Sequence, residues 1–242
     1  MEKKEMVVAA LHHQETGKVP YCIYFTTAAV EKYGERLESD FLDSELKSAV
    51  REGFLSFREA LSVGMGNHVV ALTLPWWSWK DVDREYYISQ EPPGYLPMTM
   101  GTGSYSELEK KALYLQEKGR YVLGVAYGSH FEKANFCRGI ENFLADLAGE
   151  PDYAERLLNE IIRKNLVMLE NAVHFPLDGI LLGSDWGSQQ SMLMSPDVWR
   201  KMIKPGEIRE YEVIKNAKKH VWIHSCGNIA QIIPDLVEMG VD

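Results

Sequence analysis

The chain has 242 residues, 45% hydrophobic and 25% charged, which suits one sizeable α/β or α+β domain. A formal net charge of −9 works against nonspecific attraction to nucleic acid or an anionic membrane surface. No apolar run reaches membrane-span length, Met1-Glu2-Lys3-Lys4-Glu5 lacks a signal-peptide core, and Cys22, Cys137 and Cys226 are odd in number and far apart, so a cytoplasmic protein with reduced thiols is expected.

Apolar, β-branched runs alternate along the chain with amphipathic segments. The first strand candidate is Val19–Phe25, and Asp43 or Ser44 then opens a helix over Glu45–Val63. His68–Leu74 is the second strand candidate. The Trp76-Trp77-Ser78-Trp79 cluster after it reads either as the wall of an aromatic pocket or as core packing. Around residues 83–104 the rhythm breaks: the alternation of Tyr86 and Ile88 and the Pro92-Pro93-Gly94 turn predict an inserted hairpin. Ser106 and Glu109 form a capping-box pattern for a helix ending near Gly119, and Tyr121–Tyr127 follows as a strand. Pro151 starts a helix reaching about Val173, with Leu157, Leu158, Ile161, Ile162 and Leu169 on one face. After the Gly179–Leu182 strand, Ser195-Pro196 reads as N-cap and N1 of a helix carrying Trp199 and Ile203. Pro205 breaks or kinks that helix before a second stretch reaches Lys219. The Val221–His224 strand leads through a Gly-Asn turn into a helix over Ile229–Met239.

Strand–helix alternation with right-handed connections predicts a parallel sheet in a single domain spanning 1–242. Five core strands are expected, and Gly240-Val241-Asp242 resembles the approach to a sixth. A βαβ barrel needs eight strands, so the count predicts the N-terminal part of a barrel; the alternative is an open sheet.

Three constellations could carry chemistry. His224 and Cys226 stand two residues apart at the end of an apolar strand, where i and i+2 share a face. A neutral imidazole and a thiolate are good ligands for Zn²⁺, and packing is the competing reading. Directly after the preceding strand comes Gly183-Ser184-Asp185-Trp186-Gly187-Ser188-Gln189-Gln190, which places Asp185 at the strand-to-loop handover where barrels keep their catalytic groups. Gln189 and Gln190 can donate and accept hydrogen bonds toward a polar ligand; the competing reading is a polar loop whose Asp185 satisfies backbone amides. His130, after the Tyr121–Tyr127 strand, reads as a pocket or metal residue or as structural. No phosphate-binding glycine motif follows a strand, and no nucleophile elbow is present.

With these motifs read, the chain resembles the uroporphyrinogen decarboxylase superfamily. The likeness runs from Glu141-Asn142-Phe143-Leu144-Ala145-Asp146-Leu147 through Asp178-Gly179-Ile180 and Ser184-Asp185-Trp186-Gly187-Ser188-Gln189. It continues in Met194-Ser195-Pro196-Asp197-Val198-Trp199-Arg200, His224-Ser225-Cys226-Gly227-Asn228 and Pro234 to Asp242. The resemblance implies a TIM-type (β/α)8 barrel, here cut after about five strands; the two unpaired edges would invite homodimerisation. The superfamily holds the decarboxylase of haem biosynthesis and zinc-dependent methyltransferases that work with corrinoid proteins. The decarboxylases carry an arginine-rich R-Q-A-G-R-Y motif near the first strand, whereas Pro20-Tyr21-Cys22-Ile23-Tyr24-Phe25-Thr26-Thr27 has no arginine for a polyanionic tetrapyrrole. The methyltransferase branch is therefore expected. Zn²⁺ would be held by His224, Cys226 and a cysteine later than Asp242, and methyl would pass from a corrinoid on a partner protein to a small-molecule thiol. Asp185 would be the polar catalytic group, with Gln189, His130 and Trp186 toward substrate. The alternatives are a carboxy-lyase acting on a tetrapyrrole or a smaller acid, and a non-catalytic corrinoid- or tetrapyrrole-binding protein.

Overall fold

The structure, a computed structural model, describes residues 1–75, 105–126 and 128–242. The expected hairpin at 83–104 and the Trp76–Trp79 cluster lie outside them. The described residues form two compact units: Met1–Leu72 with Tyr105–Leu123 and Phe175–Asp178, and Gly124–His174 with Thr73 to Pro75 and Gly179–Asp242.

The first unit opens with α1 (Lys3–Leu11), α2 (Thr27–Phe41), α3 (Ser44–Arg51) and α4 (Phe57–Gly64). Asp43 caps α3 as expected, accepting from the Leu46 N–H. The single helix expected over Glu45–Val63 is two, however. A second start signal, Ser56 and Glu59, closes a reciprocal capping box and restarts the chain as α4. Strand β1 (Val69–Thr73) and helix α5 (Tyr105–Glu117) follow. Ser106 stands inside α5, which already includes Tyr105, so it is not the N-cap expected of it.

Val19–Phe25 is not a strand. Val19, Ile23 and Tyr24 are exposed, and side chains intercept the pairing with the segment before β1. The Asn67 amide accepts from Ile23 N–H and donates to Ile23 C=O, and the Tyr21 N–H donates to His68 Nδ1. The sheet among the described residues therefore has four strands rather than five: β1, β2 (Tyr121–Ala126), β3 (Gly179–Gly183) and β4 (His220–His224), in that order. Strands β3 and β4 are parallel, with Gly179 opposite His220 and Gly183 opposite His224.

In the second unit, α6 (His130–Arg138), α7 (Ile140–Gly149) and α8 (Pro151–Ala172) precede β3. The predicted stripe on α8 is buried, and so are Lys164 and Asn165 within it. After β3, Ser195 caps a single turn (Pro196–Val198). The chain then widens into a π-helical segment at Trp199–Ile203 before α9 (Lys204–Asn216). Pro205 explains the widening: it has no N–H to bond the carbonyl four residues back, and its ring would strike that carbonyl. Helix α10 (Ile233–Met239) closes the unit. Asp242 then meets Val221 twice, its N–H donating to the carbonyl and its Oδ2 accepting from the amide. Asp178 makes the same pair of bonds to Val122 immediately before β3.

Candidate functional site

Strands β3 and β4 end side by side, and the loops after them are laced together. Ser184 N–H donates to His224 C=O, Trp186 N–H to Ser225 Oγ, and Asn228 N–H to Ser188 C=O. Two glycines allow this crossing. A Cβ on Gly187 would stand 2.7–2.8 Å from the backbone of Cys226, Gly227 and Asn228. Gly227 has φ +78°, and a Cβ there would run into the backbone of Gly187 and Ser188.

The crossing brings Asp185, His224 and Cys226 together. Cys226 Sγ lies 3.4 Å from His224 Nε2, and Asp185 Oδ1 lies 3.7 Å from the same nitrogen. Asp185 Oδ1 also accepts the Cys226 N–H at 2.7 Å, fixing the cysteine backbone over the aspartate. His224 and Asp185 are 61% and 48% exposed in their side chains, so the cluster opens to solvent and can receive a ligand. The Asp185 hydrogen bond and charge, followed by desolvation and the Glu132 charge, raise the Cys226 thiol above its ordinary range.

The donor set fits Zn²⁺. Zn–S and Zn–N bonds of about 2.3 and 2.05 Å at a tetrahedral angle set sulfur and nitrogen about 3.5 Å apart. The observed 3.4 Å needs no rearrangement of the pair.

The other expected site residues lie elsewhere. Gln189 is exposed on the loop after β3. Trp186 is 1% exposed, its ring set edge-on against Trp199 at 5.4 Å between centroids, so it packs in the core. His130 is wholly buried and faces Glu207 and Glu210 on α9. Glu132, which sequence reading missed, is half-buried on α6. Its carboxyl is raised by desolvation and then by the Asp185 charge, while Lys133 and His224 pull it back. Spacing from a strand end does not reveal it, because it sits on the helix.

The uroporphyrinogen decarboxylase (URO-D) family profile matches residues 109–242. The chain belongs to this family. Among solved structures it is similar to a methyltransferase from Methanosarcina mazei, with a TM-score of 0.66 and 18% identity, over 100% of this chain and 74% of the other. At that identity the likeness shows the fold: a TIM-barrel-like α/β architecture. Among curated proteins no sequence matches this one significantly. No helix among the described residues is long and apolar enough to cross a membrane.

The motifs that this URO-D member shares with its family divide by role. Arg200 is paired with Asp235, its Nε and Nη2 3.0–3.2 Å from the carboxylate, and Lys204 reaches the same carboxylate at 2.8 Å. These residues tie the π-helical segment to α10. His224, Cys226 and Asp185 instead present polar atoms to solvent.

Proposed function

We propose that this URO-D member is a zinc-dependent methyltransferase that moves a methyl group from a corrinoid, carried on a partner protein, to a small thiol. The observation that carries the reading is the 3.4 Å pairing of His224 Nε2 and Cys226 Sγ at an open strand end, beside Asp185. Zn²⁺ held by this pair would bind the acceptor sulfur as a thiolate, the nucleophilic form at neutral pH.

The residues of the chain have separate tasks. His224 and Cys226 are the ligands. Asp185 positions Cys226 through its amide and is the third donor that these residues bring to the same point. The exposed Gln189 amide is placed on the loop that borders the cluster, where it can hold a polar group of the acceptor. The arginine-free segment Pro20–Thr27 supports methyl transfer over decarboxylation of a polycarboxylate, which would need bidentate cationic partners.

The test is zinc content of the protein against Cys226→Ala and His224→Ala, with demethylation of a methylcorrinoid by a small thiol followed in parallel. Each variant is expected to lose one zinc per chain and the transfer. Equal zinc in wild type and both variants refutes the metal assignment, and turnover of uroporphyrinogen instead of methyl transfer refutes the reaction.

A further inference from the structure

Behind β3 and β4 the second unit buries an unusual amount of charge. His130, Lys133, Asn165, Glu207 and Glu210 are all 0% exposed. His130 Nδ1 lies 3.3 Å from Glu210 Oε2 and 3.5 Å from Glu207 Oε1, and one donor atom from each of the three residues falls within 4.8 Å of the others. Gly206 makes room for the imidazole, since a Cβ there would stand 2.7 Å from its Cε1 and Nε2.

Glu207 is the anomaly. Burial pushes its carboxyl up to about 7, with His130 opposing, the Glu210 charge adding and the nearby Ser129 and Tyr211 hydroxyls drawing it back, yet neither of its oxygens completes a hydrogen bond. Protonation relieves the charge, but a wholly buried carboxyl whose oxygens find no donor still carries a desolvation cost. Protonating His130 does not cure this, because one Nδ1–H serves one oxygen and Glu210 is the nearer. A divalent cation would satisfy both carboxylates at once.

The spacing agrees. Metal–ligand bonds of about 2.0–2.1 Å at a tetrahedral angle set neighbouring donors about 3.3 Å apart. The nitrogen-to-oxygen separations here are 3.3 and 3.5 Å. Surrounding groups already orient the ligands. Asn165 Nδ2 donates to Glu210 Oε1 at 2.7 Å, which turns Oε2 toward His130, and Asn165 Oδ1 accepts from Lys133 Nζ at 2.6 Å. The Lys133 nitrogen is thus held one amide away from the carboxylates rather than between them.

We infer that His130, Glu207 and Glu210 form a second, fully enclosed metal site for a first-row divalent cation such as Zn²⁺, separate from the His224–Cys226 pair. One nitrogen and two carboxylates suit such an ion, and the absence of sulfur sets this site apart from the exposed one. An ion here would clamp α6 to α9.

The test begins from His224→Ala/Cys226→Ala, two exposed positions whose loss leaves the core intact. This variant and its Glu207→Gln derivative are refolded with Zn²⁺, so that entry into an enclosed site is not limiting, then desalted and assayed for zinc and melting temperature. The expected result is one zinc per chain in the double variant and none in the derivative, with zinc raising the melting temperature of the first only. No zinc in the double variant refutes the site, and that result stands whether or not Glu207→Gln folds. One zinc in both refutes the assignment to these residues. If the double variant instead holds as much zinc as wild type, the exposed pair is the reading that fails, so the two proposals fail separately.

Discussion

Replacing Gly227 with alanine tests whether the crossing of the two loops builds the exposed cluster. Gly227 has φ +78°, and moving an L-residue into that region costs roughly 1–2 kcal/mol. A second cost adds to it. The new methyl would stand 2.5 Å from the carbonyl oxygens of Gly187 and Ser188, against an ordinary contact distance of about 3.4 Å. Those atoms are backbone, so no side chain can rotate away and the loops must part by most of an ångström. Overpacking of this kind costs roughly 1–3 kcal/mol, giving a total of about 2–5 kcal/mol. Gly53→Ala supplies the control: its φ is +72°, but a Cβ there meets nothing within 4 Å, so only the backbone cost of about 1–2 kcal/mol is expected. Urea unfolding of both variants measures the difference, and zinc binding measures its local consequence. Parting the loops breaks the 2.7 Å bond from Cys226 N–H to Asp185, so Gly227→Ala should bind zinc at least tenfold more weakly. If Gly227→Ala loses no more stability than Gly53→Ala and binds zinc as wild type does, the crossing does not hold the site.

Two further outcomes follow from the titrating groups. In metal-free protein, alkylation of Cys226 by iodoacetamide, read by peptide mass spectrometry, should rise with a midpoint above that of an ordinary thiol. Asp185→Asn should shift it downward and speed the reaction at pH 8, because the Asp185 hydrogen bond and charge are the largest raising causes; an unchanged profile would remove Asp185 from contact with the sulfur. Burial lowers Lys133 from 10.5 to about 7, with Lys164 adding to the shift and Glu210, Glu132 and Cys137 opposing it. Between those values the unfolded chain binds the proton that the folded chain has lost, so stability should climb with pH through this window. Urea midpoints at pH 7.5 and 9.5 should show that climb in wild type and a flatter response in Lys133→Met; equal slopes would refute the lowered lysine.

Much of the exposed cluster was legible because local rules built it. A strand end places His224, the next residues bring Cys226 round to it, and the neighbouring strand delivers Asp185 by the same logic. The caps at Asp43, Ser195 and Pro151 were readable for the same reason, since each acts within one turn. Val19–Phe25 shows where periodicity fails. Its composition suits a strand, but a strand needs a run of backbone partners; the His68 N–H supplies one to Tyr21 C=O, while the Tyr21 and Ile23 N–H groups bond the side chains of His68 and Asn67 instead. The buried cluster was invisible for a different reason. Glu207, Glu210 and Asn165 sit on amphipathic helices, where a polar residue normally means the solvent face. Only the packing of α9 against α8 turns those positions inward.

The shared motifs therefore cannot be weighed equally when function is transferred within the family. Trp199, Arg200 and Asp235 belong to text as family-like as the His-x-Cys pair, yet they serve packing and ion pairing: a ring against Trp186 and a bridge to α10. They hold the wall of the fold together. Asp185, His224 and Cys226 are held in place by backbone bonds but leave their polar atoms half-exposed and within ligand spacing. Stability alone does not require a raised thiol beside an open imidazole, since replacing either exposed side chain with alanine breaks no core contact. A bound ion would give that exposed pair a role that packing does not. The same reasoning applies with more force to Glu207, whose burial without donors is a cost that a bound cation would remove.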